Sequence, residues 1–398
     1  MNTAVFQPSP VRCSLWTPGT IVLMVFSAIG VLAAVYRFSF GLASTTNLDQ
    51  QHPWGIWIAI DVATGVALAA GGFTSSAIAY VFHRDQYHVI TRAALWTALL
   101  GYTFVGLGLM ADLGRYYNIW HPILPSMWQG NSVLFEVGLC VMCYLTVLYI
   151  EFFPVISERL KSSRRFPALS RVCSGVTRLL ERTMILFILA GVVLSCLHQS
   201  SLGNLMVIAP GKVHPLWYTP ILSLLFLLSA VSVGFPMIIV ESLTSSWALR
   251  LKPEMHLLAS LARWVPVLLA VYLAFKIGDL MIRERAGHLL DASVESLFFI
   301  LEVFLGVLLP MLLFLSVRVR SRPRWLFAAS MLVVMGVAMN RVNVFLVAYQ
   351  PPYATKTYFP SILEFAVTAG LLASAILLFR AGVTYLPIIA PTCEERTQ

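Results

Sequence analysis

Ten apolar runs, each close to the roughly 20 residues that a helix needs to cross a bilayer, dominate this sequence. They fall at about residues 19–36, 54–81, 93–110, 132–153, 183–200, 217–240, 257–275, 295–317, 325–340 and 361–379. A backbone N–H or C=O finds no water inside hydrocarbon, so runs of this kind fold as helices. Most are flanked by Pro, Gly, Arg or Trp, as helices that end at an interface should be. The expectation is an all-α integral membrane protein of about ten transmembrane helices. A transmembrane domain at 19–380 sits between a short N-terminal segment, 1–18, and a tail, 381–398.

Composition agrees. The chain is 59% hydrophobic and 11% charged, against about 25% charged in a soluble domain. That excludes a water-soluble enzyme, a disordered chain and a disulfide scaffold, and 398 residues leave no room for a large soluble domain. Six cysteines form no metal-binding framework. Cys140 and Cys143 lie within an apolar stretch, where they read as two small residues on one helix face. The first run is read as a retained span and not as a cleaved signal.

Sidedness follows from the basic residues. If the N-terminus is cytoplasmic, 19 of the 27 lysines and arginines fall in inner segments, including Arg159, Lys161 and Arg318–Arg324. The other eight, Arg37, Arg115, Lys212, Lys276, Arg283, Arg285, Arg341 and Lys356, fall outside. Such a bias over an even number of spans predicts that both termini are cytoplasmic. The net charge of +9 is then an orientation signal, and no basic, aromatic-interleaved stripe suggests nucleic acid. His52-Pro53-Trp54 opens the second helix and His214-Pro215-Leu216-Trp217 the sixth, a faint repeat consistent with two stacked four-helix units.

The informative residues are the polar ones set where lipid should be, because each needs a partner or a function. Most gather toward the outer ends of the helices. Asp61 lies about two turns into the second helix, and Glu136 about a turn into the fourth, after Asn131. Asp112 and Arg115 close the third at a spacing that lets them pair. His198, with Gln199, closes the fifth, and Arg341 closes the ninth between Asn340 and Asn343. Five helices would thus bring acids, amides, a histidine and a guanidinium to one depth. Glu136, which has no local cation, suits proton handling, and His198 can hydrogen-bond a carbonyl. Glu241, at the opposite end of the sixth helix, is either an interfacial acid or a proton entry. Glu302 and Glu364 read as structural, and Asp279, Arg283, Glu284 and Arg285 as a solvated loop. Only His198 of eight histidines is near a span's interior, so no haem and no metal are expected. No P-loop, nucleophile elbow or zinc helix is present, and Gly71-Gly72 marks a close helix–helix contact.

Several strings stand in order: Pro53-Trp54-Gly55-Ile56-Trp57, Ala70-Gly71-Gly72-Phe73, Asp112-Leu113-Gly114-Arg115-Tyr116, Asn131-Ser132-Val133-Leu134-Phe135-Glu136, His198-Gln199-Ser200-Ser201-Leu202-Gly203 and Lys212-Val213-His214-Pro215-Leu216-Trp217. Together they resemble the NrfD/polysulfide reductase family of membrane subunits, in the HybB-type form of nickel–iron hydrogenase-2, from about Gly41 to the tenth helix. The resemblance implies a haem-free, quinone-reactive anchor with two four-helix bundles and two flanking helices in a bacterial or archaeal inner membrane. It implies an iron–sulfur electron-transfer subunit docked on the periplasmic face, a catalytic oxidoreductase subunit beyond it, and menaquinone or ubiquinone as substrate. Tyr102, Glu136, His198 and Glu241 match positions discussed in the family for quinone or proton transfer. Asn131, Arg115 and Asp112 would complete the quinone site, and Asp61 with Glu241 would extend a proton route. A sulfur-metabolising, DsrP-like complex fits the same strings. Two rival classes stay open on the residues alone, a secondary transporter with kinks at Pro236 and Pro266, and a purely structural anchor.

Overall fold

The computed structural model describes residues 8–11, 14–77, 88–161 and 167–389. Ten helices among them are long and apolar enough to span a membrane: α1 Pro18–Phe40, α2 Trp57–Ser76, α3 Ile90–Asp112, α4 Val133–Lys161, α5 Ser170–Val207, α6 Leu222–Leu249, α7 Met255–Ile282, α8 Val294–Leu315, α9 Pro323–Val347 and α10 Ile362–Tyr385. All ten expected runs are present. Residues 78–81 at the end of the second run, Arg12, Cys13, His83, Arg84, Arg164, Arg165 and the tail from 390 lie outside the described residues.

The helices overrun the apolar runs where polar residues keep a good helical pattern. α5 is the main case: it extends 38 residues, about 57 Å at 1.5 Å per residue, because the segment bearing Arg171, Arg178 and Arg182 stays helical beyond the lipid-compatible part. α7 and α9 also run past the expected ends at 275 and 340, which draws Lys276 and Arg341 inside helices. Local signals set the helix starts. Thr17 and Thr20 form a capping box ahead of α1, with Pro18 at the first helical position, and Ser361 and Glu364 form another ahead of α10.

α2–α5 close one four-helix ring and α6–α9 a second, while α1 and α10 pair with each other outside α2 and α3. This is the expected arrangement of two bundles plus two flanking helices. α2 is the wall shared by the rings and touches α6 and α9 as well as its own partners. Its most apolar stretch is 83% buried, against 17% in α1. Small residues allow this. A Cβ on Gly71 would meet Ile238 of α6 at 3.2 Å, and one on Gly72 would meet the Ala98 Cβ of α3 at 2.4 Å. The described segments nearest the two termini lie together at the arginine-rich end of the bundle, where Val11 N–H donates to the Val383 carbonyl at 3.1 Å and Ser9 N–H to that of Ile389 at 3.0 Å. His52 and His214 both sit at the other end, His52 against Tyr349 and His214 against His288.

Gly72→Val should lower the detergent melting temperature by an amount equivalent to about 1–3 kcal/mol of overpacking. Gly106→Ala should not, because nothing lies within 4 Å of a Cβ at Gly106. Equal behaviour of the two variants in a thermal shift assay would remove the close-approach role given to α2.

Candidate functional site

α3 carries a polar contact at each depth. Near its start the Thr97 hydroxyl lies beside the Glu241 carboxyl of α6. One and a half turns on, Tyr102 is fully buried, edge-on to Tyr144 of α4 at 4.4 Å and 5.5 Å from the ring of His198. Gly108 then makes room for Asp61, whose Cβ would be 2.8 Å from a side chain there. Asp112 closes the helix. From Thr97 to Asp112 is about 22 Å at 1.5 Å per residue.

The His198 site is built from four helices. α5 presents His198, Ser195 and Gln199, all at 0% exposure. The Gln199 side-chain amide donates to the Val66 carbonyl of α2 at 2.8 Å. That carbonyl lies between a wide π-turn at Trp57–Thr64 and a break at Ala69, where the regular helical ladder is interrupted and a side chain can serve it. Ser195 lies beside both phenols. Neither ring nitrogen of His198 nor the Tyr102 hydroxyl has a hydrogen-bond partner among the described residues. A buried polar group left unpaired costs about 1–3 kcal/mol, so three of them converging mark a place built to hydrogen-bond something else. Glu151, about two turns beyond Tyr144 on α4, continues the line. It packs on Gly191 and Tyr144 and was missed from sequence, although an acid between Ile150 and Phe152 was the signal.

A second cluster joins α1, α2, α3 and α10. Asp61 accepts from the Thr368 hydroxyl at 2.6 Å. Arg37, fully buried, donates from Nε to the Ala111 carbonyl at 2.7 Å and from Nη2 to that of Leu113 at 2.6 Å, and so covers the C-terminal end of α3. The charged groups that face Asp112 are Arg37, Glu364 and Asp61. The expected Asp112–Arg115 pair is therefore replaced. The helix stops at Asp112, the backbone at Arg115 leaves helical geometry (φ −106°, ψ 63°), and its side chain is exposed. Glu364 caps α10 and accepts from the Tyr358 hydroxyl at 2.5 Å, and burial, with that carboxylate adding to it, pushes the Tyr358 phenol upward.

Two further expected members also stand apart. Asn131 is exposed in the turn before α4, and Glu136 is exposed because Val137, Val141 and Tyr144 form the face of α4 that turns inward. The single outer cluster read from sequence is thus divided: Tyr102 meets His198, Asp61 meets Asp112, and Asn131, Glu136 and Arg115 lie on the exposed rim of the same end.

The second ring holds a charge network where loops were expected. Glu302 accepts from Lys276 Nζ, from Asn340 at 2.8 Å, from Asn343 at 2.8 Å and from the Trp217 indole at 2.9 Å. Arg341 donates to Asn340 at 2.6 Å and Ser229 at 2.8 Å and lies over the Phe226 ring at 3.7 Å. π-turns at Phe304–Leu308 and Asn343–Val347 follow these residues directly and rotate them inward. Lys276 and Arg341 are buried, which corrects their assignment to outer segments. Asp279 and Arg283, expected in a solvated loop, form a half-buried pair at 2.7 Å.

Residues 44–352 match the family model described as polysulphide reductase, NrfD. The chain belongs to that family. It is 33% identical over 388 residues to the probable Ni/Fe-hydrogenase 2 b-type cytochrome subunit of Escherichia coli, covering 97% of this chain and 96% of that one. It is 27% identical over 419 residues to the menaquinone reductase integral membrane subunit of Nitratidesulfovibrio vulgaris, with 99% and 97% covered. A further protein of that organism is 39% identical over 387 residues, with 94% and 95% covered. NrfD membership makes this a multi-pass integral membrane protein. One relative's name invokes a b-type cytochrome, yet among the described residues His198 is the one histidine well inside a span, and its ring faces Tyr102 and no second imidazole. The described residues therefore do not fit a haem held between facing histidines, and they hold no group of three or more potential metal ligands.

Removing one partner of a buried ion pair costs about 3–5 kcal/mol, and an apolar replacement of both much less. Lys276→Met or Glu302→Leu alone should therefore lower thermal stability more than the two together. A double variant as unstable as the sum of the singles would show that the ion pair is not the dominant contact.

Proposed function

We propose that this NrfD-family chain is the haem-free membrane subunit of a respiratory oxidoreductase that moves electrons between an iron–sulfur partner and the quinone pool of the inner membrane. Both termini would be cytoplasmic and the partner would dock at the opposite, periplasmic face. The observation that carries this is the buried His198–Tyr102 pair, whose two ring nitrogens and phenol hydroxyl have no hydrogen-bond partner among the described residues and suit a quinone carbonyl and its proton. The name of the menaquinone reductase relative supports quinone as substrate.

Quinone reduction takes up two electrons and two protons, and its reversal releases them. In the proposal Tyr102 and His198 hydrogen-bond the ring, and His198 accepts or returns a proton. Asp61 and Asp112, with Arg37 beside them, hold charge near the site, and Glu241 stands at the other end of the α3 ladder as the proton exchange point with the cytoplasm. Asn131, Glu136 and Arg115, on the exposed rim, meet water and the partner, with Glu136 exchanging protons there. The hydrogenase-type complex is the first assignment of partner, supported by the identity to the Escherichia coli subunit. A sulfur-metabolising complex keeps the same chemistry with a different catalytic subunit, and the family description supports it.

His198→Leu and Tyr102→Phe in the assembled complex should lower quinone turnover by about 10²–10⁴-fold, the usual contribution of a positioned acid or base, with partner co-purification unchanged. Glu136→Gln should slow turnover as well, and an unchanged rate would remove it from the proton route. A tagged chain that purifies without iron–sulfur proteins and binds no quinone would point to a transporter instead.

A further inference from the structure

α1 and α10 cross at Gly30 and Gly370, so closely that a Cβ on either would be 2.4 Å from the other's Cα. The Ser27 and Ser374 hydroxyls bond at 2.6 Å beside this crossing. Toward the arginine-rich end α1 has no such contact with α6. Between them lies an open cavity of about 790 Å³, roofed by α1 and walled by α2, α3, α6 and α10. Its volume is within the roughly 300–1,000 Å³ of small-molecule sites.

The lining is graded along the membrane normal. The end near mid-bundle carries Gly65, Leu68, Ala69 and Leu372, with no charge. Thr97 and Glu241 make one polar step part-way along. The mouth carries Thr17, Ser245 and Arg380. Arg380 donates from Nη2 to the Ser14 carbonyl at 2.7 Å, while its buried Nε has no partner among the described residues. A cation at the arginine-rich end and hydrocarbon toward mid-bundle match an amphiphile that lies with its tail inward and its anionic group at the surface. An isoprenoid quinone has the opposite demand, with its uncharged polar ring in the interior and its tail outward.

We infer that this cavity is a binding site for a membrane glycerophospholipid of the leaflet at the arginine-rich end, with an acyl chain between α1 and α6 and the phosphate on Arg380. The site is separate from the His198–Tyr102 pair, though Glu241, assigned to proton exchange with the cytoplasm, stands on its wall. The lipid completes the wall between the α1–α10 pair and the two rings.

The test is native mass spectrometry and lipid extraction on the full complex purified in mild detergent. Wild type should retain about one phospholipid per chain, and adding dioleoyl-phosphatidylglycerol to delipidated protein should raise its melting temperature. Arg380→Gln should lower retention about tenfold, which corresponds to one hydrogen-bonded charge contact. Ala375→Phe, which fills the cavity without touching its mouth, should abolish retention and the thermal response. Quinone turnover should persist in Arg380→Gln, which separates a failure here from a failure of the quinone site. An isoprenoid quinone extracted in place of phospholipid and lost in Ala375→Phe would overturn the proposal, as would equal phospholipid retention in wild type and both variants.

Discussion

The close packing of α2 between the two rings is the constraint on which the rest of the structure depends. Lipid is as apolar as any side chain, so helices in a bilayer gain by fitting one another and little by hiding apolar surface. α2 achieves that fit with glycines and alanines on nearly every side. Bringing neighbours so near leaves little space, and polar groups in that space must face each other. Gln199 reaching the Val66 carbonyl and Asp61 reaching Thr368 are both consequences of where α2 stands. Its π-turn adds to this, because a widened turn changes the direction of Asp61 and exposes backbone to side chains.

The helices were legible because apolar runs of span length admit few other folds. The four-plus-four arrangement was hinted at by the two His-Pro motifs, and both fall at the same end of the bundle. His198 was legible too, as the one histidine inside an apolar segment. What could not be read were tertiary partners. Asp112 and Arg115 have the spacing of a helical pair, but the helix ends at Asp112 and Arg115 lies outside helical geometry, and the cation arrives from Arg37, 75 positions earlier. Glu136 looked buried because its neighbours are apolar, yet neighbours in sequence lie about 100° apart around a helix.

Lys276 and Arg341 failed for a different reason. Span ends were drawn where the apolar run stops, and a buried charge stops a run just as a loop does. Only the donors and acceptors from other helices distinguish the two cases. Glu302 meets a lysine, two amides and an indole contributed by three other segments, so its environment exists only after the second ring closes. The two rings thus differ in character. Among the described residues one leaves His198 and Tyr102 without hydrogen-bond partners, and the other surrounds its Glu302 carboxylate with four donors while leaving Arg341 Nε and Asn343 Oδ1 without partners.

The crossing of α1 on α10 ties the first span of the chain to the last. Roughly 320 residues separate Phe40 from Ile362, which at 5–20 residues per second is a delay on the order of half a minute during synthesis. For that interval the Gly30 face and the Ser27 hydroxyl of α1 are turned to lipid or to whatever assists insertion. α1 is therefore made long before its permanent neighbour. Biogenesis of this subunit is a matter of holding one helix in reserve.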